Sequence, residues 1–286
     1  MLCFFASDLH GSVDRYRALF SLIERERPDA VFLGGDLLPA YMIPWRDPES
    51  GGDDFVVDFL SAGFKRLRDL LGDGYPSVFL ILGNDDLRAE EPAILQEAER
   101  GTWHYMHKRA RTLGDLRIYG YSHVPPSPFL LKDWERYDVS RFVDPGSVSP
   151  EEGRRSVARE EREIRHATIK DDLERLAGDD DLERAILLFH SPPYKTSLDR
   201  AALDGRKVDH VPLDVHVGSI AIRRFVEERQ PLVTLHGHVH ESARLTGSWR
   251  DRIGRTHLFG AAHDGPELAL VRFDPDEPER ATRDLC

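Results

Sequence analysis

Side chains that can bind metal ions follow five predicted β-strands, each at the point where the strand ends. These segments are Asp8-Leu9-His10, Gly34-Gly35-Asp36, Gly83-Asn84-Asp85-Asp86, His190 and His236-Gly237-His238-Val239-His240. In an α/β sheet, ligands bind outside the carboxyl ends of the strands, so we expect the five segments to meet in one crevice. The glycines allow the tight turns and the close backbone approach that such a crevice needs.

Each segment alone is a weak signal. An Asp after a strand is most often a turn residue, and a single His is most often structural. Together they form a mixed set of imidazole and oxygen ligands without cysteine, which suits Mn²⁺, Fe or Zn²⁺. Their joint placement at strand ends predicts a metal centre.

The elements that would position these side chains are short apolar runs separated by amphipathic stretches. We predict strands over Leu2–Ala6, Ala30–Leu33, Val78–Leu82, Leu116–Tyr119, Ala185–Phe189, Leu232–Leu235, Thr256–Phe259 and Leu268–Phe273, and helices over Ser12–Arg27, Phe55–Leu71 and Gly218–Arg229. This alternation predicts an α/β fold, with a mostly buried sheet and helices on both faces. The last two strands have no obvious helix between them, so we expect part of the sheet to be antiparallel.

A charged excursion at about 122–181 interrupts this pattern. Ser122–Pro128 contains three prolines, and Pro150–Asp181 is rich in Glu and Arg with few apolar anchors. That composition predicts a helix lying on the domain rather than inside it. We expect a single domain over 1–286, in which the excursion is either a mobile cap beside the site or a solvated helical segment.

The composition narrows the class of protein. The chain has 286 residues, 40% of them hydrophobic, and a formal charge of −12, which favours a globular protein and argues against non-specific binding of nucleic acid or anionic membranes. Two cysteines provide no disulfide framework. With neither a signal peptide nor an apolar run long enough for a membrane span, we expect a cytoplasmic protein.

The ordered series Asp-x-His, Gly-Asp, Gly-Asn, His and Gly-His-x-His resembles the signature of calcineurin-like metallophosphoesterases, and covers the chain from Asp8 to His240. Further stretches resemble the predicted phosphoesterases related to Icc-type cyclic-nucleotide phosphodiesterases: Tyr119-Gly120-Tyr121-Ser122, Ser127-Pro128-Phe129, His190-Ser191-Pro192-Pro193-Tyr194, His216-Val217-Gly218-Ser219 and His238-Val239-His240-Glu241-Ser242.

The resemblance implies a β-sandwich of mixed sheets flanked by helices, with two divalent metal ions at the carboxyl ends of its strands. Mn²⁺ is the expected metal, with Fe, Zn²⁺ or Ni²⁺ as alternatives. One ion would be bound by Asp8, His10 and His240, the other by Asn84, His190 and His238, and Asp36 would bridge both. A hydroxide held between the ions would be the nucleophile that attacks phosphorus.

The sequence departs from the family pattern in the third motif, where we place the catalytic residues Asn84, Asp85 and Asp86. The commonest form of this motif has a His, thought to protonate the leaving group, at the position of Asp85. It departs again at Phe259-Gly260-Ala261-Ala262-His263, where related proteins often have Asn-Pro-Gly. The first departure puts the proton donor in question, and the second puts a substrate contact in question.

Other polar residues are weaker candidates. His123, in the Pro-rich loop, could bind substrate or be an exposed loop residue. His216, before a predicted helix, could bind substrate or lie next to a capped helix end. We predict that His236 does not bind metal, and that it either supports the metal ligands or is simply a buried residue. Arg88 could meet a phosphate, but we interpret it as one of many surface arginines.

The leading hypothesis is hydrolysis of a small phosphodiester, such as a nucleotide, at a two-metal site. A phosphomonoesterase or a metal-dependent nuclease would use the same ligands, although the acidic charge disfavours a stable nucleic-acid complex. A non-catalytic metal-binding scaffold is the remaining alternative. All seven ligand positions are occupied by competent residues, which favours an enzyme.

Overall fold

The computed structural model of the chain describes residues 1–40, 45–46 and 51–286. Its strands are β1 (Cys3–Ala6), β2 (Ala30–Gly34), β3 (Ser77–Ile81), β4 (His104–Tyr105), β5 (Arg109–Leu113), β6 (Leu116–Tyr121), β7 (Ala185–Phe189), β8 (Lys207–Val208), β9 (Val211–Pro212), β10 (Val233–His236), β11 (Arg250–Ile253), β12 (Thr256–Gly260), β13 (Ala269–Phe273) and β14 (Thr282–Leu285). The α-helices are α1 (Val13–Glu26), α2 (Ala62–Leu71), α3 (Glu91–Glu99), α4 (Glu161–His166), α5 (Ile169–Ala177), α6 (Ile220–Arg229) and α7 (Ser242–Thr246). A π-helical segment, Phe55–Ser61, leads into α2, and short 3₁₀ turns lie at Gly72–Gly74, Arg88–Glu90 and Pro278–Arg280.

Twelve of the strands form two mixed sheets. The first has the order β14-β13-β1-β2-β3-β4, and the second has the order β11-β12-β10-β7-β6-β5. In the first sheet β1 to β4 are parallel, whereas β13 and β14 are antiparallel to their neighbours. In the second, β6, β7, β10 and β12 are parallel and flanked by antiparallel β5 and β11. In the parallel central part of each sheet, five strands lead at their carboxyl ends into the loops that carry the candidate ligands: β1, β2, β3, β7 and β10.

The two sheets pack face to face. Successive side chains of a strand point to opposite faces of its sheet, so one strand contributes to two different buried clusters. Cys3 and Phe5 of β1 belong to a buried cluster that also contains residues of β7 and β10 in the other sheet. Phe4 and Ala6 belong to a second cluster with α1, the π-helical segment and α2. A third cluster packs α5 and α6 against the outer face of the second sheet. The architecture is therefore a β-sandwich covered by helices on both outer faces, which confirms the fold class.

The structure corrects the sequence analysis in two respects. Alternation of strands and helices predicted one main sheet, but the described residues form two six-stranded sheets, because periodicity shows that a strand is buried without showing which layer buries it. The region Pro150–Asp181 is not one helix lying on the domain. It contains the short helices α4 and α5, separated at Ala167 and Thr168, and Ile169 and Leu173 of α5 are buried in the third cluster.

We did not predict the helix α3 or the short edge strands β4, β5, β11 and β14, because their sequences lack a clear apolar period. Ser12 accepts a hydrogen bond from the Arg15 N–H at 3.4 Å, which confirms the predicted start of the first helix. Among the described residues, no helix has both the length and the apolar character needed to cross a lipid bilayer.

Candidate metal centre

The candidate ligands lie on loops that leave the carboxyl ends of strands in both sheets. The loops after β1, β2 and β3 come from the first sheet, and those after β7 and β10 come from the second. Backbone hydrogen bonds join them: the Asp8 N–H donates to the Gly35 carbonyl at 2.9 Å, and the Gly237 N–H donates to the His190 carbonyl at 2.9 Å. The predicted crevice exists, and it lies at the edge where the two sheets meet.

Four of the seven candidate ligands have left-handed backbone conformations. The φ angles are 57° for Asp8, 45° for His10, 51° for Asp36 and 74° for His238. This region is unfavourable for residues with a Cβ, and it is concentrated in proteins at functional sites that the surrounding structure holds in place. The fold therefore accepts backbone strain in order to point these side chains into one space.

Two glycines let the loops approach closely enough. A Cβ built on Gly83 would lie 2.5 Å from the backbone nitrogen of Asp36 and 2.6 Å from His190 Nε2. A Cβ on Gly237 would lie 2.5 Å from Asp8 Oδ2. Any larger residue at either position would enter the space between the candidate ligands.

The first group of ligand atoms consists of Asp8, His10, Asp36 and His240, whose donor atoms all lie within 4.8 Å of one another. Nε2 of His240 is 3.1 Å from Nε2 of His10 and 3.2 Å from Oδ1 of Asp8. Asp8 is completely buried, and the backbone N–H of His238 donates to its carboxylate at 3.0 Å. These contacts fix the carboxylate toward the imidazoles.

The second group consists of Asp36, His190 and His238, which also lie within 4.8 Å of one another. Nε2 of His190 is 3.2 Å from Oδ2 of Asp36 and 3.0 Å from Oδ1 of Asn84. Nδ1 of His190 is 2.8 Å from the Gly34 carbonyl, so it carries a proton and leaves Nε2 to act as the ligand atom. Asp36 belongs to both groups.

The electrostatics of the site favour cations. Burial acts to lower the pKa of His190, but Asp36 outweighs it and raises that pKa to about 10. Asp8 has the same effect on His240, raising its pKa to about 9 despite partial burial. Burial acts to raise the pKa of Asp8, but the hydrogen bond and charge of His240 hold it well below its usual value. The buried carboxylates therefore attract positive charge, which protons supply when no metal is bound.

The donor set fits two divalent ions. Each group offers imidazole nitrogens and carboxylate oxygens in a partly buried crevice, and Asn84 adds an amide oxygen to the second group. Such mixed nitrogen and oxygen sets suit Mn²⁺, Fe and Zn²⁺. The seven residues predicted from the sequence are all brought together at this edge.

The two acidic residues after Asn84 have different surroundings. The side chain of Asp85 is 49% exposed, with Oδ2 3.8 Å from His10 Nδ1, and its backbone N–H donates to Asp36 Oδ1 at 2.8 Å. Burial and the charge of Asp36 raise the pKa of Asp85. Asp85 thus faces the crevice.

Asp86 is completely buried beneath the loops. Its carboxylate accepts hydrogen bonds from the backbone N–H groups of Leu37 at 3.1 Å, Leu38 at 2.7 Å and Gly83 at 2.8 Å. Burial and the charge of Asp36 raise its pKa to about 8. Because both oxygens are occupied by backbone donors, this geometry favours a bracing role over the catalytic role that we predicted.

The three remaining histidine predictions have different outcomes. His236 is confirmed as a buried residue, with Nδ1 3.0 Å from the Ser191 carbonyl and Nε2 2.7 Å from Thr234 Oγ1. Burial lowers its pKa to about 3. His123 is only 2% exposed, so the alternative of an exposed loop residue is wrong.

His216 is held by Asp199, whose Oδ1 is 2.7 Å from Nδ1 of the ring. The helix α6 that follows begins at a capped end, where Ser219 and the carboxylate of Asp138 accept the first backbone N–H groups. That end of the helix is therefore satisfied within the chain. Binding of substrate by His123 or His216 stays a prediction.

Two arginines near the site were not recognised from the sequence. Arg15 donates to the Asp8 carbonyl at 2.6 Å and also to the Gly265 carbonyl, which ties the first ligand loop to residues near the end of the chain. Arg88 is 9% exposed and stacks on Trp134 with 4.2 Å to the ring centroid, so the surface interpretation is wrong. No sequence signal separates either from the other arginines.

Comparison with known proteins gives one family and a shared fold. A family model described as calcineurin-like phosphoesterase matches residues 1–242. The crystal structure of TT1561 from Thermus thermophilus is 14% identical with a TM-score of 0.58, covering 99% of this chain and 98% of that one. Another solved structure, also 14% identical, has a TM-score of 0.61 with the same coverage. At this identity the likeness shows the fold alone.

Among curated proteins, an uncharacterised protein of Methanocaldococcus jannaschii is 35% identical over 77 residues. The match spans 26% of this chain and 29% of the relative, less than a third of either.

Proposed function

The chain belongs to the calcineurin-like phosphoesterase family, and from that premise we propose that it hydrolyses phosphodiesters at a centre of two divalent metal ions. In this proposal Asp8, His10 and His240 bind one ion and Asn84, His190 and His238 bind the other. Asp36 is the shared ligand.

The observation that carries the proposal is the position of Asp36 in both groups of ligand atoms. A carboxylate that two groups share can bridge two cations and offset their mutual repulsion. Two bound ions would lower the pKa of a coordinated water and stabilise the charge that develops on phosphoryl oxygens. We propose Mn²⁺ as the metal, with Fe, Zn²⁺ or Ni²⁺ as alternatives that fit the same donor set.

The chain's own residues have separate tasks in this reaction. The Gly34 carbonyl orients the His190 ring through Nδ1, and the His238 backbone N–H orients the Asp8 carboxylate. Asp86 holds the loops after β2 and β3 at a fixed separation. This bracing keeps the ligands in place before substrate arrives, which is what a preorganised site requires.

Asp85 supports a preference for diesters over monoesters. Its half-exposed carboxylate faces the crevice near His10. A carboxylate there repels the dianion of a monoester more strongly than the monoanion of a diester. A small diester with a good leaving group, such as a nucleotide derivative, is the substrate class that we propose.

Metal content and turnover of bis(p-nitrophenyl) phosphate test the proposal. The wild-type protein should hold two ions per chain and hydrolyse the diester. Asp36→Asn should lower the occupancy of both sites, whereas His10→Ala should mainly lower the occupancy of one. His263→Ala, which changes a histidine outside the two groups, is the matched control. At most one ion per chain under metal-replete conditions contradicts the dinuclear centre, and two ions without turnover favour a non-catalytic scaffold.

A further inference from the structure

A small cavity lies between the 3₁₀ turn at Arg88 and the excursion that follows β6. It has a volume of about 20 Å³ and opens to the surface. A space of this size has room for one or two oxygen atoms of an anion bound at its mouth, and it is too small for a nucleobase. Its lining includes one histidine and five cationic side chains: His123, Arg88, Lys132, Arg136, Arg155 and Arg159.

The lining carries more positive than negative charge. Its five cations face three carboxylates, Asp133, Glu135 and Glu163. Two carboxylates outside the cavity, Glu91 and Asp172, pair directly with Arg88 and Arg136, and with them the count is five cations and five carboxylates. The excess of positive charge is therefore confined to the lining itself, in a chain whose formal charge is −12.

The individual partners show which cations are available. Arg136 and Arg159 share Glu163, at 2.5 Å and 2.6 Å respectively, and Lys132 pairs with Glu135. Arg155 donates to the Pro150 carbonyl at 2.5 Å, but it forms no ion pair with any carboxylate of the described residues. Arg136 also pairs with Asp172 at 2.6 Å, so Glu163 is left to Arg159. Arg155 is therefore the cation of the lining that is available to a ligand.

A buried polar atom without a partner lies in the lining of the same cavity. Nδ1 of His123 has no hydrogen-bond partner, although the residue is 2% exposed and lines the space. Two other such atoms in the described ranges, Ser122 Oγ and Trp134 Nε1, belong to neighbours of His123 that do not line the cavity. Leaving a buried polar atom unpaired is unfavourable, so the free Nδ1 of His123 indicates a missing ligand.

The cavity is within reach of the metal ligands. Tyr121, two residues before His123, pairs with Phe189, which directly precedes His190, and Arg88 is four residues beyond Asn84. With at most about 3.6 Å of chain per residue, each of these cavity residues lies within roughly 16 Å of a proposed ligand. This upper bound is consistent with a second phosphate of a bound substrate reaching the cavity.

We propose that this cavity is an oxyanion subsite, which binds a second phosphoryl group of the substrate while the scissile diester lies at the metal centre. The proposal rests on the proposed function for the location of the reaction, but the subsite itself depends only on the residues of the cavity. Inorganic oxyanions share the same chemistry, and the experiment below separates a free ion from a group carried by the substrate.

Crystals of the metal-loaded protein soaked with selenate test the subsite directly, since selenium can be located by anomalous scattering. We expect a selenium peak beside His123 and Arg155, separate from any peak at the metal centre. Arg155→Gln and Arg159→Gln should abolish it, Arg155→Lys should retain it, and Arg154→Gln, an adjacent exposed residue outside the lining, should leave it unchanged. Selenate bound only at the metal centre, or water alone in the cavity of the wild type, overturns the proposal.

A matched pair of diesters identifies the source of the oxyanion. Thymidine 5′-(p-nitrophenyl phosphate) and its 3′-phosphorylated form differ only in the second phosphate. The wild type should have at least a tenfold lower KM for the phosphorylated form, and Arg155→Gln should remove most of that ratio, whereas Arg154→Gln should not. Selenate in the cavity together with an unmoved ratio would show that the ion is free, and would overturn the substrate subsite. Failure to hydrolyse either diester would refute the proposed function, while the soaking experiment would still decide the subsite.

Discussion

Replacing Gly83 by Ala should damage both proposed metal sites with a single methyl group. The new Cβ would lie 2.5 Å from the Asp36 backbone nitrogen and 2.6 Å from His190 Nε2, whereas ordinary contacts begin at 3.4 Å. Asp36 and His190 must therefore each move by nearly 1 Å, and both are held by buried loops. A shift of about 1 Å in a catalytic group costs on the order of a hundredfold in rate. We expect kcat/KM for bis(p-nitrophenyl) phosphate to fall by about that factor.

The same displacement should lower metal content at both sites, because Asp36 is the shared ligand. Overpacking of this kind costs roughly 1–3 kcal/mol of stability, so thermal unfolding in the presence of a chelator measures that cost separately from metal loss. Gly74→Ala is the matched control, since a Cβ there has no atom within 4 Å. If Gly83→Ala retains two ions and loses less than threefold in activity, the close approach of the loops is not what holds the centre together.

Three further predictions address the acidic residues and the histidines. Asp85→His should narrow or reverse the preference for bis(p-nitrophenyl) phosphate over p-nitrophenyl phosphate, chiefly by improving the monoester, and an unmoved kcat/KM ratio would contradict our account of Asp85. Asp86→Asn replaces one acceptor oxygen by a donor that faces backbone N–H groups, at a cost of about 1–3 kcal/mol. Its Tm should fall by several degrees, and an unchanged Tm would argue against bracing. Without metal, His190 and His240 hold protons up to pH values of about 10 and 9, and a metal must displace them. Mn²⁺ affinity should therefore rise between pH 6 and 8 with release of close to two protons per chain, measurable by calorimetry in buffers of different ionisation enthalpy. Affinity independent of pH would refute this.

The family and the fold class were predictable from the sequence, and the comparisons confirm the family. The reason is that the motif is local. Asp8, Asp36 and Asn84 each follow an apolar run, and the carboxyl ends of parallel strands meet at one edge whatever the surrounding layers are. The start of α1 at Ser12 and the burial of His236 were predictable for the same local reasons.

The layer that buries each apolar side chain was decided only by the tertiary structure. Cys3 and Phe4 are adjacent apolar residues in β1, yet one packs between the sheets and the other packs under helices. Hydrophobicity is the same in both environments, so periodicity alone could not distinguish them. The division of Pro150–Asp181 into α4 and α5 likewise depends on the core that buries Leu173.

By itself, the sequence determined which residues can bind metal and the order in which they occur, because ligand chemistry belongs to residue types. Tertiary structure decided what their neighbours do. Asp85 and Asp86 are adjacent and chemically equal, but one faces the crevice and the other is covered by the backbone N–H groups of Leu37 and Leu38. In the sequence Arg88 is one arginine among many, but in the structure it is buried beside His123. Burial and the identity of long-range partners set the role of a polar side chain, and neither is encoded in the residues next to it.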